Sequence, residues 1–547
     1  MKNPFKPLSF HKALILLFWT HLLPFLLDSG SILAQTRRVV TAEGEVNLKI
    51  RKDEFLLLMK PDSIVTPGLL LGMSIKNTQF ASAKFLTKGR SADADQVLEN
   101  FEKIKFSSTF AYVGALIEDQ AGNIQGIVNK ISVRLKAAGD KPLLDKQLLK
   151  YGVDSVISYP YDSLTYTVYI SKNNSIDALD ISNELNETNL FEYSDVLWIR
   201  FISTRRANEY DGPDAEEVSH NLAWKIATGQ GIKVALLDDG VQLDHPDLKD
   251  NLLPGYDAVL ENSTLQGGQA GNNVHGTACA GIIGAQKNNL GFTGIAYDCK
   301  IIPVRIGFTN ELGKFASNDL AVADAIYWAV NTGNADILSC SWGGGTTSGR
   351  VRVALNHAMN RGRSGKGTIV VFASGNSNES YLSYPANIAG VIAVGASTLC
   401  DTRKRSAADA ARVSCDGESD WGSNYGEGLS VVAQGVKVGT TDLAGSRGKN
   451  KGDYQENFNG TSSACPQIAG IMALILSANP TLTLKQARAL LEANADKLPN
   501  YRFELKGTYP NGTWNKELGY GRANAIQSLS KTQDVPSKQS LLTPNTN

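Results

Sequence analysis

From residue 223 onward the chain alternates short apolar runs with helical stretches, and this rhythm constrains its fold more than any other feature. Runs at residues 234–237, 301–306, 337–340, 368–373 and 391–394 are almost continuously apolar and punctuated by glycine. A strand with one wet face alternates apolar and polar residues; these do not, so both faces need cover. Helical stretches at 277–283, 320–330 and 352–360 fall between them and can supply it. The expectation is an α/β fold built on a doubly wound, mostly parallel sheet.

The preceding region reads differently. Residues 131–135, 155–159, 166–170 and 196–202 have strand character, and 141–151 and 176–185 have helical spacing. The order β-α-β-β-α-β is that of a small α+β, ferredoxin-like domain. It ends at Thr204-Arg205-Arg206, a basic pair before a polar, acidic segment. Such a domain before a cuttable linker reads as a removable pro-segment. Residues 36–129 carry strand-like runs at 54–59 and 110–117 and a turn at 119–123, an extension of unclear fold.

The first residues carry an address. Lys2, Lys6 and Lys12 precede an apolar run at 13–27, and small residues near Ala34 follow, the layout of a secretory signal peptide. Thr20, His21 and Pro24 interrupt the run, which argues against stable membrane insertion. The expected destination is extracellular or periplasmic. The 54 basic and 54 acidic residues cancel, so no general attraction to nucleic acid is expected. Of six cysteines, Cys400 and Cys415 flank a polar segment and are the candidate disulfide for an oxidising compartment. Cys279, Cys340 and Cys465 lie in apolar or small-residue runs that favour buried thiols, and Cys299 fits either state.

Four polar residues stand at the edges of this pattern. Asp238 follows the 233–237 run, and His275 opens a segment rich in small residues. Asn376 ends the segment 370–376, at the end of an apolar run, and Ser462 lies in Phe458-Asn459-Gly460-Thr461-Ser462-Ser463-Ala464-Cys465-Pro466. Gly460 permits close backbone approach, and Pro466 reads as an early helical residue whose missing N–H costs no bond. Singly, each has a plain turn or cap explanation.

Together, residues 234–240, 244–248, 275–281, 339–344, 373–376 and 460–466 resemble the subtilisin-like serine proteases, the subtilases, in the order Asp, His, Asn, Ser. The resemblance spans residues 223–529. It implies that Ser462 attacks a peptide carbonyl, His275 takes and returns the proton, and Asp238 orients the imidazole. Asn376 would join the Ser462 N–H in an oxyanion hole. Ser341, Trp342 and Gly343 would form one edge of a peptide groove and residues 314–317 the other. A first pocket would lie between Ser341–Gly343 and Ala373, Ser374 and Gly375, with Ser383 near its floor. The spelling Asp238-Asp239-Gly240 is closer to the kexin/furin branch, in which Asp239 would meet a basic side chain. Gly343-Gly344-Gly345-Thr346-Thr347-Ser348 lacks that branch's acids for a basic first residue. Cys279 resembles the free cysteine of proteinase K, which implies inhibition by mercurials. A calcium loop is implied at 286–294, with ligands from Asp247, Asn288, Gln286, Leu290 and Phe292.

The resulting expectation is a monomeric, secreted serine endopeptidase of broad specificity, made as a self-processed zymogen. Its parts are a signal peptide at 1–35, an extension at 36–129, an inhibitory pro-domain at 130–206, a catalytic domain at 207–529 and a disordered tail at 530–547. Calcium is the expected cofactor, and peptides and its own pro-domain are the partners. A narrow kexin-like processing protease and an inactive peptide-binding module are the alternatives.

Overall fold

The computed structural model describes residues 36–41, 44–59, 74–77, 83–87, 110–119, 123–172, 174, 176–203, 222–259, 268, 270, 273–309, 314–407, 416 and 418–532. The signal-peptide reading, the maturation site near Arg206, Cys415 and all but the first residues of the tail lie outside them.

Seven strands form one parallel sheet in the order Tyr256–Asp257, Lys300–Arg305, Lys233–Asp238, Ile337–Cys340, Ile369–Ala373, Ile392–Ser397, Leu429–Gln434. The chain enters at Lys233–Asp238, builds to one side, then crosses over and builds to the other. The apolar runs are explained by both faces being covered. Val234 and Leu236 pack with the helices His275–Gly284 and Thr461–Ala478, whereas Ala235 and Leu237 pack with Asp319–Asn331 and Gly349–Arg361. All four side chains are buried, and full burial of a Leu or Val contributes about 1.5–3 kcal/mol. Thr461–Ala478 is the only described helix long and apolar enough to cross a membrane, and most of it is buried within this core.

The β-α-β-β-α-β region forms a four-stranded antiparallel sheet in the order Phe191–Val196, Lys130–Leu135, Asp162–Ile170, Val153–Tyr159. Its helices are Lys141–Leu148 and Ala178–Glu187. Ile131, Val133 and Leu135 face those helices. The other face packs on the large domain through polar groups. Buried Arg350 donates to Ser132 Oγ at 3.0 Å and Thr167 Oγ1 at 2.8 Å, and lies 4.2 Å from the centre of the Tyr159 ring. Asp195 accepts from the Gly349 N–H at the start of the Gly349–Arg361 helix, and Tyr159 Oη meets Asp324.

One expectation needs correction. Residues 196–202 are not a single last strand: Phe191–Val196 closes the small sheet, and Ile199–Ser203 leaves it after Trp198. Ile199–Ser203 lies antiparallel to Lys314–Asn318 on one side and to Ile124–Gly126 on the other. The extension's strands Gly44–Met59 and Phe110–Glu118 continue the same sheet. The described strands of the extension are thus tied through Ile199–Ser203 to the large domain. Cys279, Cys299, Cys340 and Cys465 are free and buried, and Cys400 is disulfide-bonded.

Candidate active site

Asp238 ends its strand at the carboxyl edge of the sheet, where the chain order turns; such an edge collects functional groups. His275 opens its helix directly above. A Cβ on Gly276 would lie 2.2 Å from the Gly240 carbonyl oxygen, so the glycine lets the helix start descend onto the strand end. The result is a 2.8 Å contact between His275 Nδ1 and Asp238 Oδ1. Oδ1 also accepts the Asp239 N–H at 2.8 Å, and Oδ2 is buried without a partner among the described residues. The imidazole packs edge-on against Phe458. Burial alone would lower the His275 pKa, but the adjacent Asp238 charge and Cys279 hold it well above the ordinary histidine value.

The Asp239 side chain is fully buried and accepts the Gly276 N–H at 2.7 Å, so it holds the start of the histidine helix. Burial and the Asp238 charge push its carboxyl up to about 7.

Ser462 is the second residue of Thr461–Ala478, after Gly460 at φ 116°, ψ 168°, a conformation reserved for glycine. Pro466 is the sixth residue of this helix rather than one of its first, so its missing N–H leaves the Ser462 carbonyl without the usual i→i−4 donor. Ser341 Oγ takes that carbonyl at 3.0 Å, and Cys279 Sγ approaches it at 3.7 Å. Pro466 thereby couples the serine turn to the Ser341 strand end and to the histidine helix. Ser462 Oγ donates to the Ser341 carbonyl at 3.1 Å, so the hydroxyl is turned towards the strand and not engaged with His275.

Asn376 Oδ1 accepts from Thr461 N at 2.8 Å and Thr461 Oγ1 at 2.9 Å. This anchors the amide beside Gly460 and leaves Nδ2 without a protein acceptor among the described residues. The expected pocket walls converge. A Cβ on Gly375 would meet Ser383 Oγ at 2.3 Å, and one on Gly343 would lie 3.6 Å from Ser383 Cβ. Ala373 is nearly buried, and Ser374 is fully buried, donating to the Asn424 carbonyl at 3.0 Å. Trp342 clamps the sheet, its Nε1 on the Leu237 carbonyl at 2.9 Å and its ring edge-on to Phe372. Asn424, which sequence reasoning missed, accepts the Ser377 and Glu379 N–H groups and donates to Ser383 Oγ at 3.2 Å. No local motif marks it, because its partners come from a distant turn.

At the implied calcium loop, Asp247 is fully buried. Its Oδ1 accepts from Asn288 Nδ2 at 2.9 Å, its carbonyl accepts the Gln286 N–H at 3.1 Å, and its Oδ2 has no partner among the described residues. Leu290 N–H donates to Asn288 Oδ1 at 2.7 Å, and Phe292 packs near Tyr454. A buried carboxylate oxygen without a hydrogen-bond donor, on a side chain joined to the 286–292 loop, is the kind of oxygen a hard divalent cation takes. Ligation by Asn288 Oδ1 requires its amide to turn over, since it now presents Nδ2.

The Subtilase family profile matches residues 229–521, more than half of the chain. The chain belongs to the subtilase family. It is 33% identical over 373 residues to a calcium-dependent protease of Nostoc sp. (strain PCC 7120), covering 59% of this chain and 53% of that protein. To thermitase of Thermoactinomyces vulgaris it is 34% identical over 315 residues, covering 57% of this chain and 94% of thermitase. Among solved structures, fervidolysin from Fervidobacterium pennivorans, a keratinolytic enzyme related to subtilisin, superposes with a TM-score of 0.55 at 23% identity. That match covers 77% of this chain and 62% of fervidolysin, and it supports the fold. The chain spans about half the length of the calcium-dependent protease that it matches.

Proposed function

We propose that the chain is a secreted serine endopeptidase of broad specificity, held latent by its own N-terminal segments. The observation that carries the reading is the Asp238–His275 contact beside Asn376 and Ser462 at the carboxyl edge of a subtilase-family sheet. Because Asp238 occupies Nδ1, the free base nitrogen of His275 is Nε2. Ser462 Oγ, once swung from the Ser341 carbonyl, gives its proton to Nε2 as it bonds to the substrate carbonyl carbon. Asn376 Nδ2 and the Ser462 N–H receive the oxyanion. Collapse breaks the C–N bond, the amine leaves with the His275 proton, and water repeats the sequence on the acyl-enzyme. Ser341, Gly343, Gly375 and Ser383 form the first pocket, which carries no acid.

Latency is supported by the strand Ile199–Ser203, which lies as an added strand against Lys314–Asn318, the edge expected to receive a peptide. The expected second edge, Ser341–Gly343, does not pair with it; Ile124–Gly126 takes that side. We assign residues 1–35 to export, 130–206 to a cleavable pro-domain with the cut near Arg206, 207–529 to the catalytic domain, and Cys400–Cys415 to a disulfide. A relative named extracellular protease, from Xanthomonas campestris, is 35% identical over 313 residues, which supports export. The polar contacts of Arg350 and Asp195 suit an interface that must later open.

Calcium would be held by Asp247 and Asn288 with backbone carbonyls of the 286–292 loop, and it would neutralise the buried carboxylate and tie the loop to the domain. Chelation is expected to lower the melting temperature by roughly 5–10 °C, as a ligand at about 100 times its Kd adds about 2.7 kcal/mol. In Asp247→Ala the midpoint should not respond to chelator. A wild-type midpoint that ignores both chelator and added calcium removes the site.

Asn376→Ala is expected to lower kcat about 10²–10³-fold with little change in KM, because the amide acts on charge that exists only in the transition state. An equal rise in KM at constant kcat would place it in ground-state binding. The reaction needs neutral His275, whose pKa is raised, so kcat/KM should climb with pH through a midpoint above about 6.5. A midpoint below that value contradicts the Asp238 contact. Turnover of a peptide library tests the activity as a whole, and the absence of any cleavage by processed protein rejects it.

A further inference from the structure

On the reading of Ile199–Ser203 as a strand occupying the peptide groove, Phe201 packs in an apolar cluster shared with Leu116 and Ile124 of the extension, and the one charged side chain the strand buries reports what the groove accepts. That side chain is Arg200. Arg200 Nε and Nη2 donate to Asp319 Oδ1 and Oδ2 at 2.6 and 3.1 Å, a two-pronged pair in which both side chains are almost wholly buried. Nη1 faces the Gly344 carbonyl at 3.3 Å and Gln125 Oε1 at 3.4 Å, and the guanidinium lies 5.9 Å from the centre of the Tyr384 ring. A Cβ on Gly345 would stand 2.3 Å from Nη1, so the backbone there is shaped to the guanidinium. Asp319, Gly344, Gly345 and Tyr384 all belong to the catalytic domain and stay when the inhibitory strand leaves. Asp319 opens the Asp319–Asn331 helix directly after the Lys314–Asn318 edge, so its carboxylate is fixed relative to any strand added there. A planar carboxylate with a carbonyl and an aromatic ring around it is a receptor for arginine rather than for lysine or an apolar side chain.

We infer that Asp319 is a specificity-determining residue, and that the enzyme prefers peptides carrying an arginine a few residues to the N-terminal side of the cut bond. Ile199–Ser203 precedes the proposed maturation site, which sets the side on which the arginine stands. Asp239, now committed to Gly276, and the acid-free segment after Trp342 are not needed for this preference. It resides at a subsite remote from the scissile bond.

The test is a positional peptide library on processed enzyme, with active sites counted by fluorophosphonate labelling. One position N-terminal to the cut should favour arginine over leucine by about 30-fold in kcat/KM, corresponding to about 2 kcal/mol for a paired charge. Replacing that arginine by citrulline, its neutral isostere, should remove most of the gain. In Asp319→Asn the arginine-to-leucine ratio should fall towards one. Should that variant not mature, the citrulline comparison on wild-type enzyme decides. Equal turnover of arginine, citrulline and leucine peptides by labelled, active enzyme overturns the inference while leaving the proposed protease intact. A ratio unchanged in Asp319→Asn overturns it likewise. Absence of both labelling and cleavage would instead reject the underlying protease reading.

Discussion

Ser462→Ala is expected to lower kcat about a million-fold and to accumulate as uncut precursor. On the proposed mechanism the attacking oxygen is lost outright, and His275 is left with no hydroxyl to deprotonate. The surrounding geometry should survive, because the Ser462 atom that ties the elements together is its backbone carbonyl, held by Ser341 Oγ and approached by Cys279 Sγ. The lost side-chain bond, to the Ser341 carbonyl, is a single partly buried one. The variant should therefore fold, remain full length by intact mass, and be cut in trans by added wild-type enzyme. Maturation of the purified variant by itself would disprove self-processing. Combining Ser462→Ala with His275→Ala should add almost nothing, since the pair acts as a unit.

Asp238→Asn is expected to cost about 10⁴-fold in kcat. An amide can still approach His275 Nδ1, but it no longer stabilises the imidazolium formed as Ser462 gives up its proton, and it can hold the ring in the wrong tautomer. The charge that holds the His275 pKa up also disappears, while the burial that lowers it remains. The residual pH profile should therefore shift its midpoint downwards relative to wild type. A tenfold loss with an unshifted profile would mean that Asp238 is only a structural cap for the Asp239 N–H.

Much of the site was legible because it is carried by local spelling. A strand run ending in Asp238, a small-residue helix opening at His275 and the Gly460 turn each impose their geometry within a few residues. The rest depends on meetings between distant segments. Ile199–Ser203 cannot be told from a continuation of Phe191–Val196 by a period of two, since only Leu197 and Trp198 separate them. Asp319 reads as an ordinary first-turn acid on a helix until Arg200 is set against it. Pro466 looked harmless near a helix start; its consequence is visible only when the freed Ser462 carbonyl finds Ser341. The bond from the Gly276 N–H to Asp239 likewise joins segments far apart in the chain. The helix Leu484–Ala493 is also spelled locally: Thr483 and Gln486 form its capping box, and Ala487, Leu490 and Leu491 recur at helical spacing on its buried face.

The central claim is that Ser462 is the nucleophile of this constellation. Labelling the processed protein with a fluorophosphonate, digesting it and sequencing the modified peptide by mass spectrometry tests it directly. The expected result is a single adduct on Ser462 that is absent from His275→Ala, whose serine no longer has a base. An adduct on a different serine, or no adduct on protein that cleaves peptides, would contradict the assignment.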